Sequence, residues 1–161
     1  MAKKYKIVKD KETLALRSNN VRTSEIEELS NLLTFELLKR VGKPHFAVGL
    51  AAIQLGLDKR AFAMLRENQP NTSDCDIKDS VLVFINPEII ERKEPYVWLE
   101  TCLSIKKSYY VERYRYITIR NGLDKKEYKF KDLSAAICQH EIDHINGITI
   151  KTKVMKYSIT K

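Results

Sequence analysis

Two histidines and a glutamate near the end of the chain have the spacing of a metal-binding helix. His140, Glu141 and His144 form an H-E-x-x-H sequence, and an α-helix places residues four apart on the same face. Two imidazoles on one face can bind one metal ion, while the neighbouring carboxylate can accept a proton from water. The pattern predicts metal-assisted hydrolysis, and a catalytic site of this kind needs a third protein ligand.

Spacing alone does not identify the third ligand. The candidates are several carboxylates together with Cys75, Cys102, Cys138 and His45. Cys138 lies two residues before His140, so on a helix it points about 200° away, and we interpret it as a small buried core residue. Cys75 lies in a polar loop without a companion ligand, whereas Cys102 follows a short predicted strand.

Three segments resemble the signature motifs of the peptide deformylase family. Residues 47–54, AVGLAAIQ, resemble its G-φ-G-φ-A-A-x-Q motif at all but the first position. Residues 100–104, ETCLS, are similar to its E-G-C-L-S motif, and residues 139–144, QHEIDH, match Q-H-E-x-D-H in full. The motifs occur in the family's order and spacing, and the resemblance covers residues 6–150.

The resemblance implies an activity and a metal site. Deformylases remove the N-formyl group from the initiator methionine of new proteins and release formate, so N-formylmethionyl peptides are the expected substrates. By motif, Cys102, His140 and His144 would bind one divalent ion with water in the fourth position. Fe(II) is the expected native metal, and Zn, Ni or Co are accepted in the family; ligand softness alone does not choose between Fe and Zn.

The resemblance also assigns roles around the metal. Glu141 would act as general base and then general acid. The Gln54 amide and the Leu103 backbone N–H would stabilise the charge that develops on the formyl oxygen. Gly49 would let a peptide backbone approach closely because it has no Cβ.

Pocket and supporting residues follow from position. The backbone of Thr101 would contribute to peptide binding, and we expect an apolar pocket for methionine lined by Trp98, Leu133, Ala136 and Ile137. Glu100 could orient a metal-binding histidine through its second ring nitrogen. We expect Asp143 to pair with Arg113 and to anchor the helix to a sheet.

A first helix is predicted before the motifs. Ser24 and Glu27 form an S-x-x-E capping box, and apolar residues then recur at helical spacing. This pattern predicts an amphipathic helix over residues 24–40, which Gly42 and Pro44 end.

The remaining elements give an α+β pattern. A polar loop is predicted at residues 67–79, and a turn at Glu94 and Pro95. A second helix over residues 133–146 carries the metal motif and ends at Gly147. Strands are predicted at residues 60–66, 81–85, 89–90, 96–99, 109–120, 127–130 and 148–150. We expect mixed or antiparallel sheets around a central helix that carries the H-E-x-x-H residues, with the amphipathic helix nearer the N-terminus.

Length and composition limit the setting. The 161 residues predict a single catalytic domain over residues 1–161, and 43% hydrophobic residues suffice for a core. No apolar run reaches the roughly 18 residues of a membrane span. The three cysteines and the absence of a signal-peptide pattern favour a reducing compartment. We expect the cytoplasm of a bacterium or of a phage-infected bacterium, or an organelle if a transit peptide has been removed.

Three departures from the family pattern keep alternatives open. Thr101 and Ala47 replace family glycines, and Lys106 occupies a position where the family often has proline. A related amidase with a shifted acyl or peptide preference is the first alternative. The second is a ribosome- or RNA-associated protein with a structural metal, supported only by the net charge of +8. That charge is scattered, so we expect ribosome proximity and no specific nucleic-acid recognition. The short C-terminus predicts a form without the long final helix of many bacterial members.

Overall fold

The computed structural model describes residues 4–41, 47–66 and 80–154. Within these ranges the chain forms three α-helices and six β-strands. The helices are α1 (Lys11–Leu14), α2 (Ile26–Leu38) and α3 (Asp132–Ile145). The strands are β1 (Gly49–Ala51), β2 (Ala61–Leu65), β3 (Val81–Ile85), β4 (Glu88–Cys102), β5 (Ile105–Arg120) and β6 (Glu127–Lys131). None of the helices among the described residues has the length and hydrophobicity of a transmembrane span.

The strands form two antiparallel sheets, in the orders β1-β2-β3 and β4-β5-β6. The predicted α+β class with antiparallel sheets is therefore confirmed. Strands β4 and β5 form a long hairpin, in which Cys102 is paired with Ile105 across the turn at Leu103 and Ser104. Cys102 thus lies at the tip of a hairpin, where its position depends on the pairing of both strands.

The first sheet separates two apolar layers. Alternate residues of a strand face opposite sides of a sheet, and on β2 Ala61 and Ala63 pack with α2 while Phe62 and Met64 pack with α3. Helix α3 also packs against Ile117 and Ile119 of the second sheet, so it contacts both sheets. This double contact fixes the helix that carries His140, Glu141 and His144.

One strand runs where the sequence predicts a turn. The expected short strands and the turn at Glu94 and Pro95 are wrong, because β4 continues through both residues and Pro95 is paired with Tyr114. Among the described residues, strand β4 is paired on one side only, with β5, so a proline whose missing N–H faces the other side removes no ladder hydrogen bond. The residues that predicted a turn do affect the backbone locally, because Glu94 has a left-handed conformation with a φ of 56°.

The cap of the first long helix differs from the prediction. Glu25, rather than Glu27, accepts a hydrogen bond from the Arg22 backbone N–H at 3.0 Å, and the residues Thr23–Glu25 form a 3-10 turn before α2. The Lys59 ammonium lies 2.6 Å from the same carboxylate, which favours Glu25 as the capping residue. The predicted helix stop at Gly42 and Pro44 and the loop at residues 67–79 lie outside the described residues.

The end of α3 explains why the predicted last strand is wrong. Gly147 has a left-handed φ of 74°, its N–H donates to the His144 carbonyl at 3.1 Å, and the Ile148 N–H donates to the Asp143 carbonyl at 2.9 Å. These are the two bonds of a Schellman cap, as Gly147 predicts. Residues 148–150 form no strand, and the Ile148 N–H that a strand would need for pairing already caps the helix.

Replacing Gly147 by alanine is expected to lower the free energy of unfolding by about 1–3 kcal/mol. A Cβ there would overlap the Ala15 carbonyl oxygen, and this steric cost adds to that of the left-handed backbone. Gly56→Ala is the matched control, because Gly56 has a similar φ of 76° but its Cβ would meet nothing nearer than 3.6 Å. Urea denaturation of both variants separates the cost of the left-handed backbone from that of the overlap with Ala15. If both variants lose the same free energy of unfolding, the overlap contributes nothing.

Candidate metal centre and active site

Helix α3 brings two imidazole rings together. Four residues separate His140 from His144, so the rings lie one turn apart with centroids 4.8 Å from each other. Their Nε2 atoms are 3.1 Å apart. Burial lowers the pKa of His144, which favours the neutral imidazole that a metal ligand requires.

Cys102 reaches the same point from the hairpin tip. Its Sγ lies 3.3 Å from Nε2 of His144, and the sulfur and the two ring nitrogens all lie within 4.8 Å of one another. One sulfur and two imidazole nitrogens form a donor set that suits a borderline-soft divalent ion. The residues therefore fit the single divalent metal that the motif resemblance implies.

A chain of charged groups lies behind His140. The Nδ1 atom of His140 is 2.8 Å from Glu100 Oε2, and Arg113 donates to both Glu100 oxygens at 2.6 and 2.7 Å. Arg113 also donates to Asp143 at 2.5 Å, and Lys153 contacts the same Asp143 oxygen at 2.9 Å. Burial favours the neutral form of Glu100, but the bonds from Arg113 and His140 outweigh it and lower its pKa to about 2. A charged Glu100 can hold Nδ1–H of His140 and leave Nε2 free for a metal.

Glu141 is buried beside the two histidines. Its Oε2 atom has no hydrogen-bond partner among the described residues, and burial raises the pKa of the carboxyl to about 7. Its Oε1 atom occupies the space over Gly49, because a Cβ built on Gly49 would lie 2.5 Å from that oxygen. Gly49 thus makes room for the Glu141 carboxyl, a role that the sequence analysis did not assign.

Gly49→Ala is expected to lower kcat/KM by about tenfold to a hundredfold, because the added methyl group must displace the Glu141 carboxyl. The metal content is expected to stay unchanged, since the substitution touches none of the three ligand atoms. Metal analysis and kinetics on the same preparation check both statements. Gly56→Ala is the control, because it makes the same substitution outside the cleft. A Gly49→Ala enzyme with full activity would show that the Gly49–Glu141 contact does not matter for the reaction.

The amide of Gln54 is oriented by its own turn. Its Oε1 accepts the Ala51 backbone N–H at 3.0 Å, so Nε2 faces the hairpin tip, 3.3 Å from Ser104 Oγ and 3.7 Å from Cys102 Sγ. Leu103 lies between those two hairpin residues, half-buried against the α2 side of the core. An amide donor therefore points toward the candidate metal ligands. Ser104, the buried partner of the Gln54 amide, belongs to the ETCLS motif, but the sequence predicted no role for it.

A cleft of about 780 Å³ opens over these groups. Arg113, Asp143 and His144 are not part of the lining; His144 faces the candidate metal position, and Arg113 and Asp143 lie behind Glu100 in the charged network. The sequence-predicted residues that line the cleft are Gly49, Gln54, Trp98, Glu100, Thr101, Cys102, Leu103, Leu133, Ala136, Ile137, His140 and Glu141. Ala47, Lys9 and Lys106 also line it.

Gln139 is a supporting residue that sequence reasoning missed. Its Oε1 accepts the Tyr114 N–H at 2.9 Å, and its Nε2 donates to the carbonyls of Tyr114 at 2.8 Å and Ala135 at 2.9 Å. The side chain continues the β5 ladder where β6 has ended, and it ties α3 to that strand. A buried glutamine next to a candidate ligand is the signal that could have found it.

The other candidate ligands have simpler outcomes. Cys138 is fully buried, its Sγ lies 3.2 Å from Met64 Sδ, and burial raises the pKa of its thiol, so its predicted place in the core is confirmed. Cys75 and His45 lie outside the described residues.

Comparisons with known proteins give a consistent result. The polypeptide deformylase family model matches residues 4–158. A peptide deformylase of Helicobacter acinonychis is 40% identical over 111 residues, 66% of this chain and 62% of that protein. One of Pseudothermotoga lettingae is 32% identical over 157 residues, 92% of this chain and 80% of that protein.

The fold agrees with solved structures of the same family. A Met-Ala-Ser-bound class I type b peptide deformylase from Acinetobacter baumannii superposes with a TM-score of 0.74 at 27% identity, covering 96% of this chain and all of that one. In sequence, the chain spans 62% of the length of the first curated relative it matches.

Proposed function

Because this chain belongs to the peptide deformylase family, we propose that it removes the N-formyl group from the N-terminal methionine of newly made polypeptides. One arrangement carries the proposal: the sulfur of Cys102 and the imidazoles of His140 and His144 meet beside Glu141 at a cleft of peptide size. Hydrolysis of the formyl amide gives formate and a free methionine amine, a step in protein biosynthesis.

The metal site follows from the donor set. Cys102, His140 and His144 would hold one divalent ion, and Glu100 would fix the ring of His140 through Nδ1. When bound, such an ion supplies a water of lowered pKa and a Lewis acid for the formyl carbonyl. We propose Fe(II) as the native metal, with Zn, Ni or Co able to replace it in a purified sample.

Proton transfer is the task of Glu141. Its unpartnered Oε2 accepts a proton from the attacking water and returns it to the methionine amine as the C–N bond breaks. Burial beside Gly49 holds the carboxyl in one place during both transfers.

Two donors serve the formyl oxygen as it gains negative charge. These are Nε2 of Gln54, whose direction is set by the Ala51 N–H, and the backbone N–H of Leu103. The hydroxyl of Ser104 lies within reach of the same amide and helps to keep it oriented.

The methionine side chain requires an apolar pocket next to this centre. We assign it to Trp98, Leu133, Ala136 and Ile137, which all line the cleft. Thr101, on the edge strand β4, would pair its backbone with the peptide that follows the methionine. The solved relative from Acinetobacter baumannii carries Met-Ala-Ser, which supports a substrate of this length.

The deciding experiment combines metal analysis with a formate assay. Protein purified without oxygen and loaded with Fe(II) or Ni(II) is expected to release formate from formyl-Met-Ala-Ser. Acetyl-Met-Ala-Ser is the matched control, because it differs only by a methyl group on the acyl carbon. Metal-loaded protein that releases no formate would overturn the proposal.

A related amidase remains the second candidate because Ala47 and Thr101, which replace family glycines, both line the cleft. Extra side-chain volume there can change which acyl group or which second residue fits. A panel of acyl groups and second residues distinguishes the two: faster hydrolysis of any group other than formyl-Met supports the alternative.

We also propose a domain organisation and a cellular location. Residues 1–161 would form one catalytic domain around α3 as the central metal-binding helix, with α2 as its N-terminal amphipathic helix. Formylated substrates arise at ribosomes, so we place the protein near ribosomes in a bacterial or phage-infected cytoplasm. The net charge of +8 is compatible with that proximity.

A further inference from the structure

The charges at the mouth of the cleft are unequal. Among the residues that the structure describes, two carboxylates line it, those of Glu100 and Glu141, and both are buried. The exposed charged residues of this described lining are Lys9 and Lys106. Neither ammonium lies within 4 Å of a carboxylate in the described part of the chain. The outer part of the cleft is therefore positively charged.

Backbone structure places both lysines there. Between the pairs Glu100–Tyr109 and Cys102–Ile105, β5 advances four residues while β4 advances two. The resulting bulge lies opposite Thr101, and bulges beside active sites commonly redirect side chains. Lys106 belongs to it and lines the cleft, whereas its neighbour Lys107 is exposed outside the lining.

Lys9 lies on the N-terminal segment, which a backbone hydrogen bond attaches to the turn of Gln54. The Val8 N–H donates to the Gln54 carbonyl at 2.8 Å, so the segment that carries Lys9 is attached to the turn that carries the candidate oxyanion amide. The adjacent Asp10 forms no ion pair with Lys9 in the described part of the chain, and its carboxylate accepts the Thr13 N–H at 2.7 Å as a helix cap. Both lysines thus lie on segments fixed to the active site.

We propose that Lys9 and Lys106 determine substrate specificity by selecting peptides with an acidic residue at the second or third position after the formyl group. The inference rests on the proposed deformylase function and names the class of sequence that this site processes fastest. A peptide carboxylate would gain one exposed ion pair, and a peptide ammonium would be repelled. Each exposed pair corresponds to about a two- to fivefold change in kcat/KM, reduced by added salt.

The kinetic test compares formyl-Met-Ala-Asp, formyl-Met-Ala-Ser and formyl-Met-Ala-Lys, each with an amidated C-terminus, and the same series with the variable residue at position two. The wild-type order of kcat/KM is expected to be Asp, then Ser, then Lys, at one position or both. Lys106→Gln and Lys9→Gln should each reduce the Asp/Lys ratio, and Lys106→Glu, whose charge offsets that of Lys9, should reduce it further, to about one. Lys107→Gln, the matched control, should leave the ratio unchanged.

Binding gives a readout that does not need turnover. Trp98, the only tryptophan of the chain, lines the cleft and reports the binding of Met-Ala-Asp-amide and Met-Ala-Lys-amide by fluorescence. Tighter binding of the acidic peptide that disappears in the Lys9→Gln, Lys106→Gln double variant supports the proposal. Equal binding and equal kcat/KM for acidic and basic peptides overturn it while the deformylase function stands. Failure to hydrolyse any formyl peptide overturns that function alone, and the binding comparison still decides this proposal.

Discussion

Replacing Glu141 by glutamine is expected to lower the rate of deformylation by about 10²- to 10⁴-fold, the usual contribution of a positioned acid–base group. Glutamine has nearly the same shape as glutamate, so it fills the space over Gly49 without disturbing the helix. It cannot accept the proton of the attacking water or return it to the amine. Single-turnover formate release with metal-loaded variant and wild type measures the loss.

Metal content is the internal control for this variant. None of the three ligand atoms is altered, so one metal ion per chain is expected in both proteins. Glu112→Gln makes the same chemical change at an exposed position on β5 and should leave the rate unchanged. A Glu141→Gln enzyme that retains its metal and its full rate would show that another group carries the proton.

The part of the site that sequence could predict is the part built by one element. A helical period is sufficient to place His140 and His144 on one face, and the observed ring separation of 4.8 Å follows from it. Cys102 is different, because its distance to His144 depends on how two long strands pair and where their hairpin ends. Sequence spacing could not select the third ligand among the candidates, and only the motif resemblance indicated Cys102.

The errors share one physical cause, which is that tertiary contacts override local signals. Pro95 predicts a turn locally, but the open edge of β4 tolerates it within a strand. Residues 148–150 have strand-like composition, but the Ile148 N–H is used to cap α3. The roles of Gly49 and Gln139 were missed for the same reason, since each depends on a residue from another element, Glu141 or Tyr114.

Arg113→Met is expected to cause the largest loss of stability, about 3–5 kcal/mol in the free energy of unfolding. The Arg113 side chain is completely buried and carries the charge that offsets Glu100 and Asp143. Methionine fills a similar volume but leaves two carboxylates with less compensation in a site of low dielectric. Asp143 keeps Lys153 and Glu100 keeps His140, so the loss should be large without abolishing folding.

The same variant tests whether the charged chain positions the metal ligand. Without Arg113, Glu100 holds the His140 ring less firmly, and metal affinity is expected to fall by about 10- to 100-fold. Urea denaturation of metal-free protein measures stability separately from metal binding, and competition with a chelator measures affinity. Arg115→Met is the matched control on the same strand, because Arg115 is half exposed and pairs with the exposed Asp132, so both quantities should change little. If Arg113→Met lowers stability but leaves metal affinity intact, Arg113 supports the fold only, and Glu100 orients His140 without it.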